Sequence, residues 1–210
     1  MSRLLVVTAV DAERDAISSA LEGVPLDLVV GGVGPAEAAA SAATALATGT
    51  YDLVISAGIA GGFAPMRTGD LAVASTSVFA DLGIETEAGF VPVSALGFGN
   101  ERYEVTPRLA AELVDITGGH MGTILTVTTA TGTDSTATRL REAHPDAIAE
   151  AMEGAGVAAA ARAHGVPFAE VRAISNAVGA RDPAAWDIPA ALRALGAAVA
   201  AIAADRAARQ

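Results

Sequence analysis

Apolar runs of strand length recur along this chain with helical patterns between several of them, and that alternation constrains the fold more than anything else in the sequence. The runs are Leu4–Ala9, Leu26–Val30, Leu53–Ala57, Leu71–Ala74, Ile124–Val127 and Phe168–Ile174. Helices are predicted over Asp11–Leu21, Pro35–Ala47, Pro107–Ile116, Ser135–Ala143, Ala147–Ala163 and Pro189–Ala207, the third with Thr106 as N-cap and Pro107 at the first helical position. Alternation of this kind favours an α/β sandwich with a mostly parallel or mixed central sheet. With 210 residues and 52% hydrophobic content, the chain can bury one substantial core, and residues 1–210 are read as a single domain. The stretch Phe79–Glu104, rich in glycine and apolar loop residues, breaks the rhythm and is read as a hairpin, a lid or a subunit contact.

Charge and composition exclude several classes of partner. The formal net charge is −11 and no basic cluster occurs, so the counterion release that drives nucleic-acid binding is missing. There is no cysteine, and His120, His144 and His164 lack ligand spacing, so neither a disulfide framework nor a metal site is expected. The opening apolar run meets Asp11 and Glu13 too soon for a signal peptide, which points to the cytoplasm. Ala190–Ala204 is apolar but interrupted by Arg193 and Gly196 and shorter than the ~20 residues of a spanning helix. It is read as a packing helix, with no membrane partner.

Three glycine-rich corners follow strands, at Gly31–Gly34, Ala57–Gly62 and Thr129–Thr133, and each lets backbone amides approach a ligand. Gly32 and Gly34 before a helix fit a tight turn as well as part of a dinucleotide fingerprint. The polar residues with chemical potential lie elsewhere. Glu153, beside Met152, is read as a lone acid inside a small-residue helix, where a carboxylate is costly without a partner or a task. Phe168–Ile174 is a buried strand carrying Glu170 and Arg172 and delivering Ser175 and Asn176 at its carboxyl end, the edge at which open α/β sheets bind ligands. Arg172 must find an anion, either Glu153 or a bound ligand. Glu13 can reach the same rim after the first strand, or can simply be a first-turn acid favoured by the helix dipole.

Five ordered blocks, TAVDAE, VVGGVGPAEAA, ISAGIAGGFAPMRTGDLAVAS, AMEGAGVAAAA and VRAISN, resemble the nucleoside phosphorylase and nucleosidase superfamily, in the branch of methylthioadenosine/S-adenosylhomocysteine nucleosidases and futalosine hydrolases. The resemblance implies a three-layer α/β/α sandwich around a mixed, partly barrel-like sheet, a purine nucleoside substrate, no cofactor, and a homodimer or larger homo-oligomer. By position, Glu13 matches the acid that activates the attacking water. Met152 and Glu153 match the ribose site, and Arg172 matches the arginine that helps hold the water and Glu153. Thr131 falls near the backbone contacts to the base, and Gly61 and Ser175 join the substrate-binding set. Carboxylates under the sugar suit the chemistry, because N-glycosidic cleavage passes through an oxocarbenium-like state.

Two departures set the branch. Asn176 stands where adenine-specific nucleosidases carry aspartic acid; an amide can accept from a protonated N7 while donating to a 6-oxo group, so hypoxanthine fits better than adenine. Ile59 stands where relatives carry a hydroxyl near the water or phosphate, and no clear second cation joins Arg172, so hydrolysis is expected over phosphorolysis. The segment after Asn176, VGARDPAAWDIPAAL, resembles the futalosine hydrolase version, with Arg181 and Trp186 as a cation and an aromatic wall for a carboxyphenyl group, or else as a loop cap and a core filler. The expected reaction is release of hypoxanthine from futalosine on the route to menaquinone. The alternatives are a methylthioadenosine/S-adenosylhomocysteine nucleosidase or another purine nucleoside phosphorylase or hydrolase, and, outside catalysis, an inactive purine-nucleoside sensor.

Overall fold

The computed structural model describes residues 3–21 and 23–209. The first strand, β1 (Leu4–Thr8), is buried along its whole length, Thr8 included, as a parallel strand covered on both faces requires. It lies between β2 (Asp27–Val30) and β3 (Leu53–Gly62), parallel to both. The helices α1 (Asp11–Ala20) and α2 (Pro35–Thr48) make the crossovers. After β3 come β4 (Leu71–Phe79), the short strands β5 (Gly83–Thr86), β6 (Gly89–Pro92) and β7 (Arg102–Glu104), then α3 (Pro107–Thr117), β8 (His120–Thr126) and α4 (Asp134–Ala143). The chain closes with β9 (Ala147–Ala151), α5 (Gly154–His164), β10 (Phe168–Ala177) and α6 (Ile188–Ala208).

The sheet is mixed and partly rolled. Its order is β10-β4-β8-β9-β3-β1-β2, and an additional parallel pairing of β10 with β3 closes five of these strands into a barrel-like ring. The β10–β4 and β3–β9 pairs are antiparallel, which makes the α/β sheet mixed. α1, α3 and α6 cover one face, where Leu4, Val6, Ile17, Val171, Leu195 and Ile202 share a core. α2 and α5 cover the other around Leu5, Val7, Leu46 and Val157. Of the described helices, α6 alone is long and apolar enough to cross a membrane, yet Ala191, Leu195, Val199 and Ile202 are spent on the core. Leu195, Val199 and Ile202 are each worth roughly 1.5–3 kcal/mol of burial.

Several elements differ from expectation. The helix predicted over 147–163 is two elements: Ala147–Ala151 is a strand, and the helix starts only at Gly154. Alanine favours helix in isolation, but here strand pairing with β8 and β3 overrides that preference. Glu153 therefore sits in the turn ahead of α5, not inside a helix. The AGIAGG stretch is not a corner either; β3 runs through it to Gly62. Phe79–Glu104 contains the β5–β6 hairpin, a short 3-10 turn at Val93–Leu96, and β7 on the edge of β4.

Candidate functional site

Three acids gather around one guanidinium at the mouth of the barrel. Glu13 lies in the first turn of α1 and is 3% exposed. Its Oε2 accepts from the backbone N–H of Ala9 and Val10 (2.8 and 3.2 Å), which caps the helix, and its Oε1 accepts from Ile59 N–H of β3 (2.8 Å). The capping role and the reach to the sheet edge coexist in one side chain. Glu153, ahead of α5, accepts from Gly34 N–H (3.2 Å), Met152 N–H (3.3 Å) and Arg172 Nη1 (3.1 Å). Gly34 presents that N–H at φ +92°, a left-handed conformation that glycine alone adopts without strain.

Arg172 is 1% exposed and every face of its guanidinium is engaged: Nε donates to Glu170 Oε1 (3.0 Å), Nη1 to Glu153, and Nη2 to Ser56 Oγ (3.0 Å). Burial alone would lower its pKa, but Glu170, Glu153 and Glu13 outweigh that and hold it above its ordinary value. Glycine at position 58, opposite Arg172 in the β10–β3 register, makes the cluster possible. A Cβ there would stand 2.6 Å from both Arg172 Nη1 and Glu13 Oε1.

Glu170 is a support that sequence reasoning noted only as an interruption of the strand. It is fully buried, and its carboxylate faces Arg172 and the Ser77 hydroxyl. Burial pushes its carboxyl up, against the pull of Arg172. The start of α5 rests on it, since a Cβ at Gly154 would land on the Glu170 carboxylate. A buried acid and a glycine at a helix start are thus one fitted pair. The available signal was an acid between Ala169 and Val171 in a core strand.

Ser175, Asn176 and Gly61 form the adjacent floor. Ser175 Oγ lies 2.8 Å from Asn176 Oδ1 and 3.2 Å from the Ala60 carbonyl, able to donate to either, and Asn176 Nδ2 donates to the Ala177 carbonyl (2.9 Å). Half-buried Met152 packs with Phe63, Val127 and Val178 beside this floor. Thr131 differs from expectation in one respect. Its N–H and hydroxyl both donate to Glu150, at 2.8 and 2.6 Å, so neither points freely outward. Sequence reasoning did not single out Glu150, because it was placed within a helix. Arg181 and Trp186 lie together, the guanidinium 5.5 Å from the ring centroid, and Arg181 N–H donates to the Gly132 carbonyl (3.3 Å). The lip after Asn176 is therefore tied to the Thr131 loop.

That loop lines a cleft of about 430 Å³ whose other walls include Asp81, Phe90 and Arg139. A larger concavity of about 670 Å³, lined by Asp27, Val29, Ser41 and Tyr51, lies on the β2 edge and shares none of the clustered residues. Volume does not outweigh chemistry here, since a binding site needs converging polar groups.

Residues 6–208 match the family model of the phosphorylase superfamily. A futalosine hydrolase from Streptomyces coelicolor is 51% identical over 91% of this chain and 91% of its own length. One from Acidothermus cellulolyticus is 45% identical over 94% of this chain and 89% of its own. In fold, the chain is similar to the 5′-methylthioadenosine/S-adenosylhomocysteine nucleosidase of Neisseria meningitidis, solved with methylthio-immucillin-A, with a TM-score of 0.83 at 19% identity over 96% and 98% of the two chains. The family model over residues 6–208 and the identity to these relatives establish that the chain belongs to the phosphorylase superfamily and, within it, to the futalosine hydrolase family.

Proposed function

We propose that this chain hydrolyses the N-glycosidic bond of futalosine, releasing hypoxanthine, and that it serves the futalosine route to menaquinone in the cytoplasm. The observation that carries the reading is the convergence of Glu13, Glu153 and Arg172 over Gly58, with Asn176 on the adjoining floor. In the proposed reaction Glu13 takes a proton from water, whose oxygen attacks C1′. The C1′–N9 bond breaks, its electron pair leaves with the base, and a proton from solvent, matching the one Glu13 removes, neutralises the base at N7. Glu153 and Met152 hold the ribose, and the surplus of carboxylate over guanidinium charge favours the oxocarbenium-like sugar. Asn176 Oδ1 accepts from the base protonated at N7 while Nδ2 turns from the Ala177 carbonyl to the 6-oxo group, with Ser175, Gly61 and Thr131 completing the base site. Arg181 and Trp186 receive the carboxyphenyl end. Water is the co-substrate, and the reading calls for no metal or organic cofactor.

Hydrolysis is favoured over phosphorolysis because Arg172 is already committed to two carboxylates and a hydroxyl, which leaves a phosphate dianion poorly matched. A homo-oligomer is part of the proposal, supported by exposed Val10 and Val33 near the site and by Ile84, Phe90 and Phe98 in the hairpin region. A single 210-residue domain is likewise proposed. The test is chromatography of base released in phosphate-free buffer, with futalosine, methylthioadenosine and inosine run in parallel. Hypoxanthine from futalosine is expected. Adenine from methylthioadenosine, or release only when phosphate is added, would overturn the assignment.

A further inference from the structure

Glu170 and Arg172 stand two residues apart on β10 and so project from one face of it, opposite Ser56 and Gly58 of β3 in the parallel register. The guanidinium is a rigid plane, and two of its donors are anchored to the sheet: Nε to Glu170 Oε1 and Nη2 to Ser56 Oγ, both at 3.0 Å. Two anchors fix the direction of the third donor, Nη1, which reaches Glu153 at 3.1 Å. Gly58 puts no side chain between that donor and Glu13. A Cβ there would stand 2.6 Å from both Nη1 and Glu13 Oε1. Glu13 also attracts the guanidinium, since its charge acts with those of Glu170 and Glu153 on Arg172. Without the anchor at Nε, the plane could pivot about the Ser56 bond from Glu153 toward Glu13. A cation seated on Glu13 would engage the carboxylate that has to take the proton from water.

Stability alone does not call for an acid at position 170. Glu170 is fully buried, and a buried ion pair gains little or nothing over apolar side chains of similar volume. Gly154, the first residue of α5, is likewise a costly choice, because glycine loses the most backbone freedom on folding. Yet a Cβ at Gly154 would land on the Glu170 carboxylate. Two residues that each cost stability fit one another, and what they jointly secure is the Nε anchor.

We propose that Glu170 is a positioning residue for the reaction: by holding Nε it keeps Arg172 on Glu153 and off Glu13, and Gly154 is the gap in α5 that admits it. This rests on the reading of Glu13 as the base and Glu153 as the ribose acid of a futalosine-cleaving site.

The experiment measures kcat for futalosine and the melting temperature of Gly154→Ala, Glu170→Val, the double variant and Glu170→Gln, with a crystal structure of the double variant. Both Gly154→Ala and Glu170→Val should melt below wild type, the first from the clash and the second from the space left and the unpaired Nε. In the double variant the new Cβ takes up space that the carboxylate vacates, so the melt should recover toward wild type. Its kcat should nevertheless stay at least about tenfold down, with Arg172 Nη1 closer to Glu13 than to Glu153. Glu170→Gln, whose amide oxygen can still accept from Nε, should recover kcat to within about threefold of wild type. A double variant that turns over within about threefold of wild type would make Glu170 a filler of space and overturn the proposal. So would a Gln variant as slow as the Val variant. Should the wild type release no base from futalosine, the functional reading fails, and the crystal structure then decides the positioning role: Arg172 still on Glu153 in the double variant overturns it.

Discussion

Replacing Gly58 with alanine should damage turnover far more than folding. The added Cβ would stand 2.6 Å from Arg172 Nη1 and from Glu13 Oε1, whereas ordinary contact begins at 3.4 Å, so the groups must together yield about 0.8 Å on each side. Neither can yield freely. Glu13 is pinned by three backbone N–H groups, and Arg172 by Glu170, Glu153 and Ser56. A misplacement of about 1 Å at reacting groups can lower the rate by about 10²-fold, or roughly 2.7 kcal/mol of barrier. Overpacking of this kind typically costs about 1–3 kcal/mol of stability, and in a chain of this size each kcal/mol lowers Tm by roughly 2–4 °C. The assay is futalosine turnover beside a thermal melt, and kcat should fall about a hundredfold while the variant stays folded at 25 °C. A folded variant with kcat within threefold of wild type would refute the view that Glu13 and Arg172 must close over position 58.

Glu13→Gln should leave hypoxanthine binding nearly unchanged and lower kcat by about 10²–10⁴-fold, checked by single-turnover base release. Arg181→Ala should raise KM for futalosine by about tenfold or more and leave inosine, which lacks the carboxylate, unaffected; equal losses on both would remove Arg181 from recognition. The surface pair at Asp27 gives a pH-dependent expectation. The Tyr51 hydroxyl holds its carboxyl below the ordinary value of 3.8, burial opposes it, and Arg3 adds to the lowering, so its contribution is present above that value and lost as pH falls through the lowered one. Because Asp27 and Arg3 are 42% and 52% exposed in their side chains, the pair is worth at most about 1 kcal/mol. Melts of wild type and Asp27→Asn should differ by no more than about 4 °C at pH 7 and converge as the pH falls through the lowered carboxyl value; a gap that widens in acid would contradict the assigned sign.

The sheet and helix alternation was legible because long apolar runs and capped helices carry their own periodicity. Leu4–Thr8 and Phe168–Ile174 needed no tertiary information, and neither did the helix after Thr106. Ala147–Ala151 was not legible, since alanine-rich local preference points to helix and only pairing with β8 and β3 makes it a strand. The same error hid Glu150 and placed Glu153 one element too far along. Glu153 and Arg172 could be named because an acid beside a small-residue run and an arginine inside an apolar strand each demand an account, whereas Glu13 read equally well as a first-turn helix acid and was singled out by the resemblance of the TAVDAE block. Their dependence on Gly58, and that of Gly154 on Glu170, could not be named, because a glycine in sequence does not say which distant atom occupies its missing Cβ.

The last strand of the barrel carries a consequence for synthesis on the ribosome. β10 wedges between β3 and β4, pairing Phe168 with Val54 and Val171 with Val73, and it bears Glu170, Arg172, Ser175 and Asn176 together. Pairings between residues so far apart along the chain form slowly, and during translation the earlier strands emerge first. Until β10 is made, the chain lacks Arg172, Ser175 and Asn176, and the ring of β10, β4, β8, β9 and β3 cannot close. With the roles proposed for these residues, turnover requires the closed barrel and becomes a gauge of complete folding.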